Sequence, residues 1–247
     1  MGSLNNLLLT HDLRHKRMVE KQFLVLRFLR QHLWSTQNIL QQVLMLESRQ
    51  ASHKTLSKME AALLIKRSNF SVLGKSLTLW GITPHGQAMA FLPAIESPFM
   101  AYFEPSRIAV QNIRHELDLQ QLRIDAEHKG WTNWTDGARI GEIPKDGKRP
   151  DAVAIDPDGR TVAIECERTI KTHKRYEQIL VTYLRSIKSG KVDLVILVCP
   201  SKLISERLRI ILTGIKTVKI AGQKIAIDPI KHHVKLKFIS YEEWPYK

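Results

Sequence analysis

Three acidic residues are spaced so that they could share a metal ion. Asp151 follows Pro150 directly, thirteen residues separate it from Glu165, and Glu167 comes two residues after Glu165. Alternate side chains of an extended strand point to the same face, so Glu165 and Glu167 are expected on one face. A hairpin across the turn at Asp158-Gly159 would bring Asp151 beside Glu165. The spacing therefore predicts three carboxylates that converge.

The convergence of these acids indicates what binds there. Two like charges about 4 Å apart repel each other by about 4 kcal/mol at an effective dielectric constant of about 20. A divalent cation or a bound proton would offset this repulsion, and oxygen ligands favour Mg²⁺ or Mn²⁺ over Zn²⁺. The two cysteines, Cys166 and Cys199, do not form the CxxC pair that is typical of zinc sites. We therefore expect Asp151, Glu165 and Glu167 to bind Mg²⁺ or Mn²⁺.

The segments around the acids indicate a mixed α/β domain. The stretches "KRPDAVAID" and "DGRTVAIECERT" are typical of strands, "KTHKRYEQILVTYLRSI" of a helix and "VDLVILVCP" of a strand. A helix that joins two strands of one sheet implies that those strands are parallel. Tyr176 and Tyr183 share a stripe of that helix with Ile179 and Leu180, which favours packing in the core over a role as nucleophiles.

Further elements are expected on both sides of this group. An apolar pattern over residues 108–129 predicts a long helix that ends at Gly130 and carries Glu116. Towards the C-terminus the pattern predicts one helix and two strands that extend the sheet: residues 203–212, 218–227 and 234–239. The order from residue 108 to the strand "VDLVILVCP" is therefore α, β, β, α, β.

The pattern "PD", thirteen residues and "ECE", within this order of elements, resembles the PD-(D/E)xK signature of restriction-endonuclease-like nucleases. The resemblance implies a restriction-endonuclease-like mixed-sheet domain in which Asp151 and Glu165 bind the metal ion. It also implies that the helix before the first strand contributes a further acid, which Glu116 matches.

The sequence departs from this signature at its third position, where Glu167 replaces the usual lysine. The residue that orients or deprotonates the nucleophile is therefore open. Lys171 and Lys174, at the start of the next helix, are the candidates. Lys174 is favoured because it lies at the end of that helix nearest the strand carboxylates.

The first part of the chain is the more densely basic. The whole chain carries 38 Lys and Arg against 24 Asp and Glu, a formal charge of +14, and residues 1–92 alone carry 12 against 4. Such an excess favours phosphate-bearing partners, with nucleic acid foremost. No apolar run approaches the length of about 18 residues that a membrane span needs, and two cysteines do not make a disulfide framework. We expect a protein of a reducing cytoplasm.

Residues 1–92 are predicted to form a separate domain of helices and a hairpin. In chain order the pattern predicts three helices, two strands and a fourth helix: residues 15–33, 35–46, 53–67, 70–73, 77–82 and a segment from Pro84. Ser35 and Thr83 are the expected caps of the second and fourth helices. The expected hairpin turn is Gly74-Lys75-Ser76.

This order, together with the segment "LTLWGITPHGQAMAF", resembles a winged helix-turn-helix domain. The resemblance implies that the third helix enters the DNA major groove and that the hairpin, the wing, contacts the backbone. Lys54, Lys58 and Lys75 are then expected to meet phosphates or bases, with Lys66 and Arg67 in the same DNA-binding set. The alternative is a winged helix that binds protein.

A linker is predicted between the two domains. Pro93, Pro98 and Pro105 oppose a continuous helix, so we place the linker at residues 93–106. The expected domains are then residues 1–92, the winged helix, and residues 107–247, the catalytic domain.

The combination of the two domains narrows the expected function. A winged helix followed by a compact nuclease-like domain resembles the MobC-type plasmid mobilisation relaxases. This resemblance implies that the protein binds double-stranded DNA at a plasmid transfer origin and nicks one strand, alongside an accessory mobilisation protein and a coupling protein. The alternative is a replication or transcription regulator whose nuclease-like domain is not catalytic.

Overall fold

The protein has a mixed α+β fold with two compact units. A computed structural model describes residues 10–94, 96, 101–141, 149–220 and 222–246. The chain divides into Met1–Gln120 and Gln121–Lys247. None of the helices in the described ranges combines the length and the apolar character of a membrane span.

The first unit contains helices around a small antiparallel sheet. Its main elements, in chain order, are α1 His11–His32, β1 Trp34–Ser35, α2 Gln37–Val43, α3 Arg49–Ala61, β2 Ile65–Val72, β3 Lys75–Ile82 and α4 Pro84–Met89. The strand order is β1-β3-β2, and both pairings are antiparallel. Thr83 caps α4 through a hydrogen bond that its hydroxyl accepts from the Gly86 amide, with Pro84 at the first helical position. The predicted cap of the fourth helix is confirmed.

The third helix ends earlier than predicted, and this corrects the placement of Lys66 and Arg67. The helix α3 stops at Ala61, and Leu63 adopts a left-handed φ of 57° with 72% of its surface exposed. Ile65 then begins β2 opposite Ile82. The helical apolar stripe continued past residue 61, but pairing with a distant strand determines the fold from residue 65 onward. Lys66 and Arg67 therefore lie on a strand.

Two details of the predicted hairpin and caps are also wrong. The turn consists of Leu73 and Gly74, whose φ values are 49° and 75°, because Val72 pairs with Lys75. Positive φ at both central residues is typical of the two-residue turns that match the twist of a hairpin. Thr36, rather than Ser35, caps α2, because Ser35 belongs to the short strand β1.

Part of the predicted linker packs in the core of the first unit. The Phe103 amide donates a hydrogen bond to the Ile82 carbonyl, and the Phe103 side chain is fully buried. A Cβ on Gly81 would lie 2.0 Å from the Phe103 ring, so this close approach requires glycine. Residues 95 and 97–100 of that linker, Pro98 among them, lie outside the described residues.

The long helix is shorter at its start than predicted. Short 3₁₀ turns occupy Pro105–Arg107 and Val110–Asn112, and the helix α5 runs over Ile113–His128. It ends before Gly130, which has a φ of 85°, as expected for a helix terminator. The division between the two units falls within α5, after Gln120.

The second unit is built on a mixed five-stranded sheet. After α5 its elements are β4 Thr132–Asp136, β5 Ala152–Ile155, β6 Thr161–Cys166, α6 His173–Lys188, β7 Leu194–Cys199, α7 Lys202–Gly214, β8 Thr217–Ile220, β9 Gln223–Ala226, α8 Pro229–His232 and β10 Leu236–Ser240. The strand order is β10-β7-β6-β5-β4. The pairs β4-β5 and β5-β6 are antiparallel, whereas β6-β7 and β7-β10 are parallel.

The predicted succession of strand, strand, helix and strand is confirmed by β5, β6, α6 and β7, including the parallel pair. The strand β4 was not predicted. The strand predicted over residues 218–227 is instead the separate hairpin of β8 and β9. Of the C-terminal strands that the structure describes, β10 alone extends the main sheet.

The helix α6 covers one face of this sheet. Tyr176, Ile179, Leu180 and Tyr183 are buried in one cluster that also includes Ala163 of β6. Burial of each such side chain contributes about 1.5–3 kcal/mol. The packing role predicted for the two tyrosines is confirmed.

Candidate active site and DNA-binding surface

Asp151 and Glu165 lie opposite each other at one end of the hairpin of β5 and β6. Ala152 pairs with Ile164, so the next step of the antiparallel ladder places Asp151 opposite Glu165. The Asp151 carboxylate accepts a hydrogen bond of 2.9 Å, through Oδ2, from the Cys166 amide. Asp151 is therefore held against the backbone of the residue that follows Glu165.

Glu165 is the buried acid of this pair. Its exposed fraction is 2%, and it pairs with Leu197 across the parallel strands β6 and β7. It shares a face with Ala163, which belongs to the core cluster under α6. A buried carboxylate is expensive to keep ionised and is typical of catalytic and metal-binding positions.

Glu167, the third predicted acid, is paired with a lysine. The Lys171 ammonium lies 2.5 Å from Oε1 and 2.9 Å from Oε2 of Glu167, which is buried. The Lys171 amide in turn donates a hydrogen bond of 2.9 Å to the Tyr176 hydroxyl. The structure thus places Lys171 at the motif, whereas Lys174 is exposed in the first turn of α6.

The neighbouring thiols are held in the neutral form. Burial raises the pKa of Cys166 to about 12, and the charges of Asp151 and Glu167 act in the same direction. Burial likewise raises the pKa of Cys199 to about 12. The Tyr241 hydroxyl lies 3.1 Å from the Cys166 sulfur, and its own pKa is raised by burial. Neither thiol is available as a thiolate ligand or nucleophile at neutral pH.

Tyr176 is similarly unsuited to act as a nucleophile. Burial raises the pKa of its hydroxyl to about 12, and that hydroxyl accepts the hydrogen bond from the Lys171 amide. The tyrosine therefore positions the loop that carries Lys171. Sequence reasoning did not identify this role, nor did it identify Tyr241, because both depend on contacts between separate elements.

The donor set at this end of the sheet fits a hard divalent cation. Asp151 directly precedes β5 and Glu165 lies on the paired strand β6, and carboxylate oxygens of this kind suit Mg²⁺ or Mn²⁺. In the part of the chain that the structure describes, no group of three or more His, Cys, Asp or Glu side chains is arranged to hold a metal ion. The participation of Glu167 as a third ligand stays a prediction.

Glu116 lies in the first turn of α5 and is exposed. It belongs to the first unit, which ends at Gln120, whereas Asp151, Glu165 and Glu167 belong to the second.

Three of the five predicted DNA-binding residues are exposed cations of the first unit. Lys54 and Lys58 stand four residues apart on α3, and so share a face, and both line a groove beside α1. Lys75 is exposed directly after the hairpin turn. Both helix and hairpin thus present basic side chains.

The other two predicted DNA-binding residues are engaged within the protein. The Lys66 ammonium lies 3.8 Å from the Glu104 carboxylate. The Arg67 guanidinium lies 3.3 Å from the Glu60 carboxylate and 5.8 Å from the centre of the Trp80 ring. These contacts leave Lys66 and Arg67 less available to DNA than the three lysines.

Compared with protein-family models, with curated proteins and with solved structures, the chain shows no match.

Proposed function

We propose that this protein is a Mg²⁺- or Mn²⁺-dependent endonuclease that nicks DNA, and that its second unit is a restriction-endonuclease-like domain. The observation that carries the proposal is the hydrogen bond from the Cys166 amide to Asp151, which fixes that carboxylate opposite the buried Glu165. The arrangement of β4, β5 and β6 as an antiparallel meander, followed by α6 and the parallel strand β7, supports the fold assignment.

Each residue of the site has a distinct task in this proposal. Asp151 and Glu165 would hold the cation. When bound, the cation supplies polarisation of the scissile phosphate and a more acidic water. Lys171 orients the attacking water or hydroxyl in place of the motif lysine, and Glu167 positions the Lys171 ammonium through their ion pair. Lys171 replaces Lys174 in this role because the Lys171 ammonium contacts a motif acid, Glu167, whereas Lys174 is exposed in the first turn of α6.

The first unit is proposed to be the winged helix that binds duplex DNA. Its order of helix, short strand, two helices and hairpin, with β1 paired to β3, supports this assignment. The helix α3 would enter the major groove and the hairpin of β2 and β3 would contact the backbone. The 12 basic against 4 acidic residues of positions 1–92 supply the attraction.

The resemblance to MobC-type relaxases makes a plasmid transfer origin the proposed substrate. The accessory mobilisation protein and the coupling protein are the proposed partners. The nick would start conjugative mobilisation by freeing one strand.

The test is the conversion of supercoiled plasmid carrying candidate origins to open circles. We expect conversion with Mg²⁺ or Mn²⁺ and none with EDTA. Glu165→Gln keeps the size of the side chain and removes its charge, and we expect a loss of about 100-fold or more. Glu242→Gln is the matched control, because Glu242 is an exposed acid of the same unit, and it should nick like the wild type.

Nicking that persists in EDTA, or in the Glu165→Gln variant, would contradict the proposal. Either result would assign the cut to a contaminating nuclease or to residues other than this pair.

A second candidate is a DNA-binding regulator with a non-catalytic nuclease-like domain. One observation favours it: the Lys171 ammonium is bound by both oxygens of Glu167, so the lysine is neutralised where the motif needs a free cation. Tight duplex binding without metal-dependent nicking at any candidate origin would support this function.

A further inference from the structure

A basic groove lies between α1 and α3 in the first unit. Five cations line it: Arg14, Arg17 and Lys21 from α1, and Lys54 and Lys58 from α3. The groove has a volume of about 310 Å³. The three α1 residues are not among those that the sequence predicts to bind DNA.

The spacing of these residues makes one charged surface. At about 100° per residue, Arg14, Arg17 and Lys21 lie within about 60° of one another around α1. Lys54 and Lys58 are four residues apart on α3 and share one face. Met18 and Ala51 line the same groove, so the lining also offers apolar surface against which the aliphatic stems of Lys and Arg can pack.

The cations of this groove differ in their partners from three other cations of the unit, Arg30, Lys66 and Arg67. Arg30 binds Glu96, Lys66 binds Glu104 and Arg67 binds Glu60. Within the described ranges of the chain, the structure shows no ion pair for any of the five groove cations. Like charges at these helical spacings destabilise a helix, so the arrangement indicates a polyanion that offsets their repulsion.

We infer that this groove binds the phosphate backbone of duplex DNA, with α1 supplying three of the five contacts. The inference deepens the proposed function and rests on its DNA-binding part. The α1 cations extend over the eight residues from Arg14 to Lys21, about 10 Å along the helix axis. One strand of duplex DNA presents a phosphate about every 3.4 Å along its axis, so this length matches about three phosphates. The contact is to the backbone, so it acts equally on all sequences.

The experiment removes the α1 charges and measures the salt dependence of binding. The variant is Arg14→Gln/Arg17→Gln/Lys21→Gln, because glutamine keeps helix propensity close to that of Lys and Arg. The control is Lys16→Gln/Arg107→Gln/Arg114→Gln, which removes the same charge from exposed positions of the same unit outside the groove. Circular dichroism melting verifies that both variants are folded. Fluorescence anisotropy with a labelled duplex then gives the affinity over a salt series.

We expect the groove variant to lower the slope of log affinity against log salt by about 2.7, since each phosphate contact contributes about 0.9. Between about 50 and 200 mM salt, the wild type should then lose about 40-fold more affinity than the variant. The control should lower the slope by less than about 1. The effect should be equal on origin and random duplexes.

Each contrary outcome has a distinct meaning. If the wild type binds duplex and the folded groove variant has the same slope as the wild type, the inference is overturned. The DNA-binding part of the proposed function still stands in that case. Absence of salt-dependent duplex binding in the wild type overturns both. A third outcome uses polyglutamate as a competitor of the labelled duplex. If polyglutamate competes as well as unlabelled duplex of equal charge, and only when the five cations are present, the groove binds an acidic protein partner and the inference is overturned.

Discussion

The charged groups of the acid site, which consists of Asp151, Glu165, Glu167 and Lys171, are held differently from those of the basic groove. At the end of β6, Asp151 accepts a hydrogen bond from a backbone amide, and Glu167 is bound by Lys171. In the groove of α1 and α3, the five cations are on exposed or half-buried side chains that extend from two helices. One set is fixed by the fold, and the other is free to adjust.

This difference is the one that the proposed function requires of the two sets. A reacting phosphate requires groups held in advance at set positions, because reorganisation during the reaction raises the barrier. A DNA backbone is a repeating line of charges, which long basic side chains can follow without fixed geometry. The comparison predicts that substitutions in the acid site change the rate of nicking, whereas substitutions in the groove change affinity.

The largest effect outside the acids themselves is expected at Lys171. Lys171→Met removes the ammonium and keeps the length of the side chain, and we expect nicking to fall by about 100-fold or more. Lys174→Met is the matched control, since Lys174 is exposed on α6, and its nicking rate should stay within about two-fold of the wild type. Single-turnover nicking at saturating protein measures both.

A double variant separates chemistry from stability at this position. Lys171→Met leaves the buried Glu167 without its cation. Breaking a fully buried ion pair lowers stability by about 3–5 kcal/mol. We expect a smaller loss here, because the Lys171 side chain is 36% exposed. Glu167→Gln/Lys171→Met should restore the denaturation midpoint but not the nicking rate. Recovery of both together would show that Lys171 only stabilises the fold.

A smaller effect is expected in the stability of the second unit at high pH. Burial raises the pKa of Cys166 from 9.0 to about 12. The unfolded thiol therefore loses its proton above about pH 9 while the folded thiol keeps it, so stability falls as pH rises through this window. We expect each such thiol to contribute about 1.4 kcal/mol per pH unit to the fall.

Urea denaturation at a series of pH values between 8 and 10.5 measures this slope. Cys166→Ala should make the slope shallower, even if its stability at pH 8 is lower. In the groove variant Arg14→Gln/Arg17→Gln/Lys21→Gln, the Cys166 thiol should contribute as much to the pH dependence of stability as it does in the wild type. A Cys166→Ala slope equal to that of the wild type would show that the acid site is open to water.

The position of the acids could be predicted because local signals determine it. The turn at Pro157-Asp158-Gly159 sets the hairpin register, and continuing that register one step past the Ala152–Ile164 pair brings Asp151 opposite Glu165. The choice between Lys171 and Lys174 could not be made in this way. It depends on the segment between β6 and α6, which has no periodicity, and on a hydrogen bond from Lys171 to Tyr176.

The basic surface was predicted less well because its elements end and begin through long-range contacts. Lys66 and Arg67 continue the helical pattern of α3, but pairing of Ile65 with Ile82 places them on a strand. The first helix begins at His11, four residues before its predicted start, with Thr10 as its cap. Arg14 therefore belongs to the helix, and its face joins the groove only through the packing of α1 beside α3.

The central claim is that chemistry and affinity reside in different units, and it is tested by measuring both quantities for two variants side by side. The first variant is Asp151→Asn and the second is Arg14→Gln/Arg17→Gln/Lys21→Gln. The measurements are the duplex dissociation constant and the nicking rate at saturating protein with Mg²⁺. We predict that Asp151→Asn binds within about two-fold of the wild type and does not nick. The groove variant should bind more weakly at low salt and nick at the wild-type rate once saturated. Equal losses of binding and nicking in both variants would contradict the account.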